Sequence, residues 1–213
     1  LVARGMLADE YDVQTSDIRW RTGGVEHPGR PEKVDLNLPS DMEVEAIPTN
    51  KSLSPMLAAG ELDAILAPLP PSCFTRGAPN VGRLFPDYHA AEKAYWQKTR
   101  YFPIMHVCAI RTSLVEQYPW LAGNVFNAFS EAKDLATKRL NNFGAAKATL
   151  PWLAAEHEET VALMGEDYWP YGVENNRIAL ENATRYSYEQ GLSSRKLDIE
   201  ELFAPSTLEQ WKS

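Results

Sequence analysis

Ionisable side chains gather at the ends of apolar segments in residues 81–111. This stretch holds two apolar segments, Val81–Phe85 and Ile104–Ile110, joined by an amphipathic one. The ionisable residues at their ends are Arg83, Asp87, His89, Arg100, His106 and Arg111. Arginine binds carboxylates through paired hydrogen bonds, and histidine exchanges a proton near neutral pH. Because α/β folds usually place their sites at strand ends, the pattern predicts a ligand site here.

A glycine pair after a predicted strand marks a second candidate site. Gly23-Gly24 lets the backbone turn sharply and approach a ligand closely, and Trp20 lies in the strand before it. The ionisable residues Glu26, His27 and Arg30 follow in a loop that two prolines stiffen. The sequence alone leaves open whether this loop binds a ligand or is a surface turn.

Several of these residues have more than one interpretation. A histidine in an apolar strand, such as His106, is more often a hydrogen-bonded core group than a catalyst. The pairs Glu26-His27 and Asp87-x-His89 could each lend ligands to a metal ion. Because such pairs are common by chance, we predict that no metal is bound. An aromatic run, Tyr168 to Tyr171, either lines a pocket or packs one helix on another.

Hydrophobic periodicity predicts the elements that must position these residues. Strands are predicted at Ile18–Thr22, Val44–Ile47, Ala64–Ala67, Val81–Phe85 and Ile104–Arg111. Helices are predicted at Leu1–Tyr11, Ser52–Ala59, Tyr88–Lys98, Pro119–Leu140, Leu153–Leu163 and Glu174–Gln190, and another after Thr112–Ser113. The alternation of strand and helix up to residue 111 favours βαβ construction with a parallel or mixed sheet. Residues 112–213 are predicted to be almost entirely helical.

Composition excludes some classes of protein. The chain has 213 residues, 44% of them hydrophobic, and a net charge of −8. It has no basic field for nucleic acid and no apolar run of the roughly 20 residues that a membrane span needs. P-loop, GxGxxG, HExxH and GxSxG motifs are absent. Cys73 and Cys108 match no zinc spacing, which leaves two buried thiols or a disulfide.

The first residues predict a helix entered part-way. The chain begins at Leu1 without a methionine, and apolar residues at helical spacing follow at once. We therefore expect that sequence precedes Leu1 in the complete gene product, so that the lack of a signal peptide says nothing about the compartment.

Several segments resemble one enzyme family, the 4,5-dihydroxyphthalate decarboxylases. They are Gly23-Gly24-x-Glu26-x-Pro28-Gly29-Arg30, Arg83-Leu-Phe-Pro-Asp87, Phe102-Pro-Ile-Met-His106, Tyr118-Pro-Trp-Leu, Gly165-Glu-Asp-Tyr-Trp-Pro-Tyr-Gly-Val-Glu174-x-Asn-Arg177, Tyr188-Glu-Gln-Gly-Leu and Glu200-Glu-Leu-Phe-Ala-Pro. Together they span nearly the whole chain. The Phe-Pro-Ile-Met-His and Tyr-Trp-Pro-Tyr-Gly-Val segments are the most specific.

The resemblance implies a fold and a division of the chain. The family is similar to the type II periplasmic binding proteins of ABC transporters, which have two α/β lobes around a ligand cleft. Residues 1–103 would then form the second lobe. Residues 104–213 would form a hinge strand and a helical return to the first lobe, whose N-terminal part this chain lacks. On this basis His106 lies at the cleft.

The resemblance also implies an activity. It implies the decarboxylation of a hydroxylated aromatic dicarboxylate by protonation of a ring carbon in the interlobe cleft, without a cofactor. His106 would be the acid, Asp87 or Glu26 the base for the phenol, and Arg30 and Arg83 the residues that bind the carboxylates. Gly23, Gly24 and Trp20 complete the predicted substrate-binding set.

The expected setting follows from the same resemblance. We expect a small aromatic dicarboxylate as partner, no nucleic acid or membrane, and a cytoplasmic enzyme, with a homo-oligomer left open. The alternative is a solute-binding protein that delivers an aromatic acid or sulfonate to a transporter without catalysis. That protein would be periplasmic.

Overall fold

Helices provide most of the regular structure of the chain. A computed structural model describes residues 1–29, 38–142, 144 and 148–209. The described helices are α1 (Val2–Tyr11), α2 (Leu53–Ala58), α3 (Ser72–Thr75), α4 (Tyr88–Thr99), α5 (Thr112–Gln117), α6 (Leu121–Leu140), α7 (Leu153–Met164), α8 (Arg177–Glu189) and α9 (Ile199–Leu202). Short 3₁₀ turns lie at Thr15–Asp17, Glu174–Asn176 and Pro205–Thr207, and the strands are β1 (Trp20–Thr22) and β2 (Val44–Ala46). The helices predicted from periodicity are confirmed to within a few residues at their ends.

The two strands form a small parallel sheet. Trp20 lies opposite Val44, and Thr22 lies opposite Ala46. The Ile47 amide extends the ladder by donating to the Thr22 carbonyl at 2.9 Å. The strands predicted around residues 18–22 and 44–47 are thus confirmed, and their parallel pairing agrees with the predicted parallel or mixed sheet. Since parallel strands end at the same edge, the chain leaves both at one side of the sheet.

The other three predicted strands are wrong. Ala64–Ala67, Val81–Phe85 and Ile104–Arg111 have no regular secondary structure. A segment becomes a strand only when a neighbouring strand pairs with its amides and carbonyls, and no strand in the described ranges pairs with these segments. The result is a helix-rich mixture with a small sheet, compatible with an α/β fold.

The chain divides into two compact units. The first comprises Leu1–Tyr95 and Tyr186–Lys196, and the second comprises Trp96–Arg185 and Leu197–Ser213. The predicted division into lobes at residue 103 stays a prediction. Both cysteines are free thiols, Cys73 buried in the first unit and Cys108 exposed in the second.

Tyr186 anchors the first unit. Only 1% of its surface is exposed, and its hydroxyl donates to Asp9 Oδ2 at 2.6 Å. Its ring lies against Gly5 of α1, where a Cβ atom would come within 2.3 Å of a ring carbon. Nearby, the Gln190 side chain donates to the Leu1 carbonyl at 3.0 Å. The last turn of α8 is thereby fixed to α1.

The second unit has an apolar core. Val173, Leu180 and Ile199 form its buried centre, and partly buried Ile104, Phe203 and Leu208 pack against them. Arg177 adds ion pairs to Glu174 and to Glu200, the latter at 3.1 Å. The hydrogen bonds that Arg177 donates to these two carboxylates raise its pKa above the usual value. None of the helices in the described part combines the length and the apolar character that a membrane span needs.

The packing of Gly5 allows a stability prediction. Replacing Gly5 with alanine places a methyl group in the Tyr186 ring. Overpacking of this kind costs about 1–3 kcal/mol, more than the roughly 1 kcal/mol that alanine gains over glycine inside a helix. We expect Gly5→Ala to lower the free energy of unfolding by up to about 2 kcal/mol, measured by urea denaturation.

Gly123 of α6 provides the matched control for this substitution. A Cβ atom there meets only the Ser206 carbonyl oxygen, at an ordinary 3.8 Å. Gly123→Ala should therefore raise the free energy of unfolding by about 0.5–1 kcal/mol. Equal effects of the two substitutions would contradict the packing of Tyr186 on Gly5.

Candidate functional site

The loop after β1 packs on the N-terminus of α2. The Gly24 carbonyl accepts from the Leu53 amide and the Val25 carbonyl from the Ser54 amide, both at 2.9 Å. A Cβ atom on Gly23 would come within 2.5 Å of the Ile47 side chain. Close packing against Ile47 thus accounts for Gly23, and substrate contact by Gly23 or Gly24 stays a prediction.

Glu26 holds the start of α3. The Ser72 amide donates to Glu26 Oε1 at 2.8 Å, and the Ser72 hydroxyl donates to Oε2 at 2.5 Å. Arg76 donates to the same hydroxyl oxygen at 2.9 Å. The hydroxyl of Ser54, which is fully buried, lies 3.1 Å from the Ser72 hydroxyl and accepts from the Cys73 amide at 3.0 Å. Glu26 is therefore a helix cap supplied from a distant loop.

These contacts decide what Glu26 can do chemically. The hydrogen bond from the Ser72 hydroxyl lowers the pKa of Glu26 most, and the hydrogen bond from the Ser72 amide is the second cause. The charges of Arg76 and His27 act in the same direction. A carboxylate whose charged form is stabilised is a weaker proton acceptor. Its position favours a structural role.

Asp87 caps α4 in a similar way. The Ala90 amide donates to Asp87 Oδ1 at 3.0 Å, and the Ala91 amide donates to its backbone carbonyl at 3.1 Å. This is the usual geometry of an N-terminal cap. Both residues predicted to be bases therefore lie at helix starts.

Arg83 lies between two aromatic rings. Its Cζ atom is 5.1 Å from the centre of the Phe74 ring and 4.5 Å from that of Tyr88. The side chain is exposed, and no carboxylate of the described ranges pairs with it. Phe74 belongs to α3 and Tyr88 begins α4. Among the described residues of the first unit, the N–H groups of this guanidinium thus have no acceptor.

Trp20 lies away from the glycine pair along β1. It begins the strand, whereas Gly23 follows its end. The indole donates to the Thr15 carbonyl at 2.9 Å, and the Arg4 guanidinium lies 5.4 Å from its ring. These contacts are internal to the first unit. Arg30 lies outside the described residues, so its predicted role stays a prediction.

His106 belongs to the second unit. It lies in the irregular segment that follows α4, and its side chain is exposed. The alternative of a buried core histidine is therefore wrong. Its imidazole has no hydrogen-bond partner in the part of the chain that the structure describes, so both nitrogens remain available for proton transfer.

The aromatic loop of the second unit is tied to its neighbours. Tyr168 packs edge-on against His157 at 5.6 Å, and Trp169 lies 5.4 Å from Phe102. Lys133 donates to Asp167 at 2.7 Å. These contacts favour helix packing over a pocket.

Within each unit taken alone, the described histidines, cysteines and acids form no group of three that could share a metal ion.

The sequence pointed to Arg83 as a candidate but did not indicate its contacts with Phe74 and Tyr88 or the contact of Glu26 with Ser72. Phe74, Tyr88 and Ser72 carry no motif. The available signal was local: Pro70-Pro71 before Ser72 marks a chain reversal, and Asp87 stands where a helix cap is expected. Neither signal indicates that Glu26 reaches Ser72 across 46 residues.

Comparison with known proteins supports the family resemblance. The chain is 40% identical over 209 residues to a 4,5-dihydroxyphthalate decarboxylase of Comamonas testosteroni. This match covers 98% of this chain and 63% of that protein. It is 43% identical over 98 residues to the protein of that name from Pseudomonas putida, covering 46% of this chain and 38% of that protein. The chain therefore spans less than two thirds of these relatives. No family model matches it. The resemblance predicted from the sequence is confirmed.

Proposed function

We propose that this chain, a relative of the 4,5-dihydroxyphthalate decarboxylases, catalyses the removal of one carboxylate from a hydroxylated aromatic dicarboxylate. The observation that carries the proposal is the 40% identity over 209 residues to a protein of that name. The exposed Arg83, held between rings, agrees with an aromatic carboxylate as ligand. A role in phthalate breakdown follows from the names of the relatives.

The proposed reaction starts with a proton transfer to carbon. A proton from the acid adds to the ring carbon that bears the departing carboxylate, and the para hydroxyl supplies electron density to the ring. The bond to the carboxylate carbon then breaks. Its electron pair restores the aromatic ring, and carbon dioxide leaves. The substrate itself holds the electrons, so no organic cofactor is needed in principle.

Two residues have direct roles in this proposal. His106 is the acid, because its exposed imidazole can donate a proton to the ring carbon of a bound substrate. Arg83 binds a carboxylate through the edge of its guanidinium. Glu26 and Asp87 enter as residues that position helices, since each carboxylate already accepts a helix amide.

We also propose that the fold is the type II, two-lobe architecture predicted from the sequence. A type II architecture related to the periplasmic binding proteins is supported by the resemblance and agrees with the parallel pairing of β1 and β2. A solute-binding protein would share that architecture. The names of the relatives favour the enzyme, and the cytoplasm stays the predicted compartment.

Turnover of 4,5-dihydroxyphthalate tests the proposal. We expect one carbon dioxide and one dihydroxybenzoate per substrate consumed, with the rate unchanged by a metal chelator. Activity that is lost on chelation and restored by a divalent ion would contradict the prediction that no metal takes part. A thermal shift with aromatic acids but no product would replace the enzyme with the solute-binding alternative.

A further inference from the structure

We infer that Phe74 and Tyr88, together with Arg83, form a binding site for an aromatic carboxylate, and that Glu26 and Asp87 position this site through the helices they cap. The site lies within the first unit. The inference rests on the proposed function for the identity of its ligand as the substrate, whereas the binding of an aromatic acid can be measured without turnover.

The two rings orient the Arg83 guanidinium. Both lie within the roughly 6 Å over which a cation is attracted to a ring face, at 5.1 Å for Phe74 and 4.5 Å for Tyr88. Ring contacts of this kind use the flat face of the guanidinium and leave its N–H edge uncovered. That edge matches the two oxygens of a carboxylate. An oriented arginine also loses less conformational freedom when a ligand binds.

Each of the two rings belongs to a helix whose first turn is capped by an acidic residue. Phe74 lies in α3, which has only four residues and is too short to be stable alone. Glu26 supplies its cap through the Ser72 amide. Tyr88 begins α4 and directly follows Asp87, whose carboxylate accepts from the Ala90 amide. The two predicted bases therefore contribute to one arginine site.

The surroundings favour an aromatic carboxylate over a free inorganic anion. The chain carries a net charge of −8, so an anion must be met by a local cation. Tyr88 is 47% exposed, so its ring can still contact a flat apolar ligand. An aryl carboxylate satisfies both the guanidinium edge and the open ring surface, whereas inorganic phosphate satisfies only the first.

The test measures binding of phthalate, which lacks the hydroxyl groups that drive decarboxylation. We expect Tyr88→Leu and Phe74→Leu each to weaken phthalate binding about three- to tenfold, and to raise KM by a similar factor with a smaller change in kcat. Tyr88→Phe keeps the ring and should restore most of the lost affinity. Tyr188→Leu removes a similarly exposed ring, 51% accessible, and serves as the control.

Two substitutions of Asp87 distinguish a helix cap from a catalytic base. Asparagine caps a helix as well as aspartate does but cannot accept the proton, so a positioning role predicts that Asp87→Asn affects turnover far less than Asp87→Ala. Equal loss in both variants would make Asp87 a base and overturn its positioning role. Circular dichroism confirms that each variant is folded.

The outcomes distinguish this inference from the proposed function. Phthalate binding that depends on Tyr88, without product from 4,5-dihydroxyphthalate, would support the site and contradict the enzyme. Normal turnover with a KM that none of the ring substitutions changes would leave the enzyme standing and overturn the site. Competition by inorganic phosphate as strong as by phthalate would overturn the assignment of an aromatic ligand.

Discussion

Replacing His106 with asparagine should lower the rate of decarboxylation by about 10²–10⁴-fold, the range expected for the loss of a general acid. Asparagine has a similar size and polarity, but it cannot deliver a proton to carbon. KM should change little, since in the proposed mechanism Arg83, and not His106, binds a carboxylate of the substrate. Steady-state turnover of 4,5-dihydroxyphthalate measures both constants.

The pH dependence provides a second reading of the same prediction. A general acid must be protonated to act, so activity falls as the pH rises through its titration. This alkaline limb should be lost in His106→Asn, where a slower, pH-independent rate remains over that range. A structural role for His106 would lower the rate but leave the shape of the profile unchanged.

His27 offers a matched control for His106. It is also exposed and stands beside Glu26, where the alternative of a metal site would place a ligand. His27→Asn should stay within about threefold of the wild-type rate, the small effect expected at a surface position away from the chemistry. A large loss there, together with sensitivity to a chelator, would favour the metal alternative. A near-normal rate in His106→Asn would remove His106 from the mechanism.

Local signals explain why the helices could be predicted. The apolar stripe of α6 and the residues that end helices act over a few positions. Gly60 and Gly191 adopt the positive φ angles, 74° and 71°, that favour glycine after a helix. Such signals do not depend on what the rest of the chain does.

Strands depend on partners that periodicity cannot identify. Val81–Phe85 and Ile104–Arg111 have suitable residues, yet Leu84 is 75% and Met105 64% exposed in irregular segments. The predicted site residues show the same difference between local and long-range signals. Residue type alone indicated Arg83 and His106, whereas the contact of Glu26 with Ser72 joins residues 46 positions apart. The sequence also did not indicate that the Glu26 and Asp87 carboxylates accept hydrogen bonds from helix amides.

Replacing Arg83 with glutamine should weaken the binding of the substrate. Charge-assisted hydrogen bonds contribute about 1.5–3 kcal/mol, which corresponds to a rise in KM of about 10- to 150-fold. We expect the rise in KM to fall in the lower part of this range, because Arg83 is exposed and water weakens its attraction to an anion. The phthalate dissociation constant, measured by calorimetry, should rise by the same factor.

Lysine at position 83 separates the charge of the guanidinium from its shape. Arg83→Lys keeps the positive charge but loses the planar fork that lies between Phe74 and Tyr88, so its KM should fall between those of wild type and Arg83→Gln. Arg19→Gln removes an exposed arginine of the same unit and should leave KM within about twofold, as for an ordinary surface position. If Arg83→Gln and Arg19→Gln have the same small effect, long-range charge accounts for binding. A fall in kcat alone would instead mean that Arg83 acts in the transition state, because an interaction made there and not with the bound substrate changes kcat without KM.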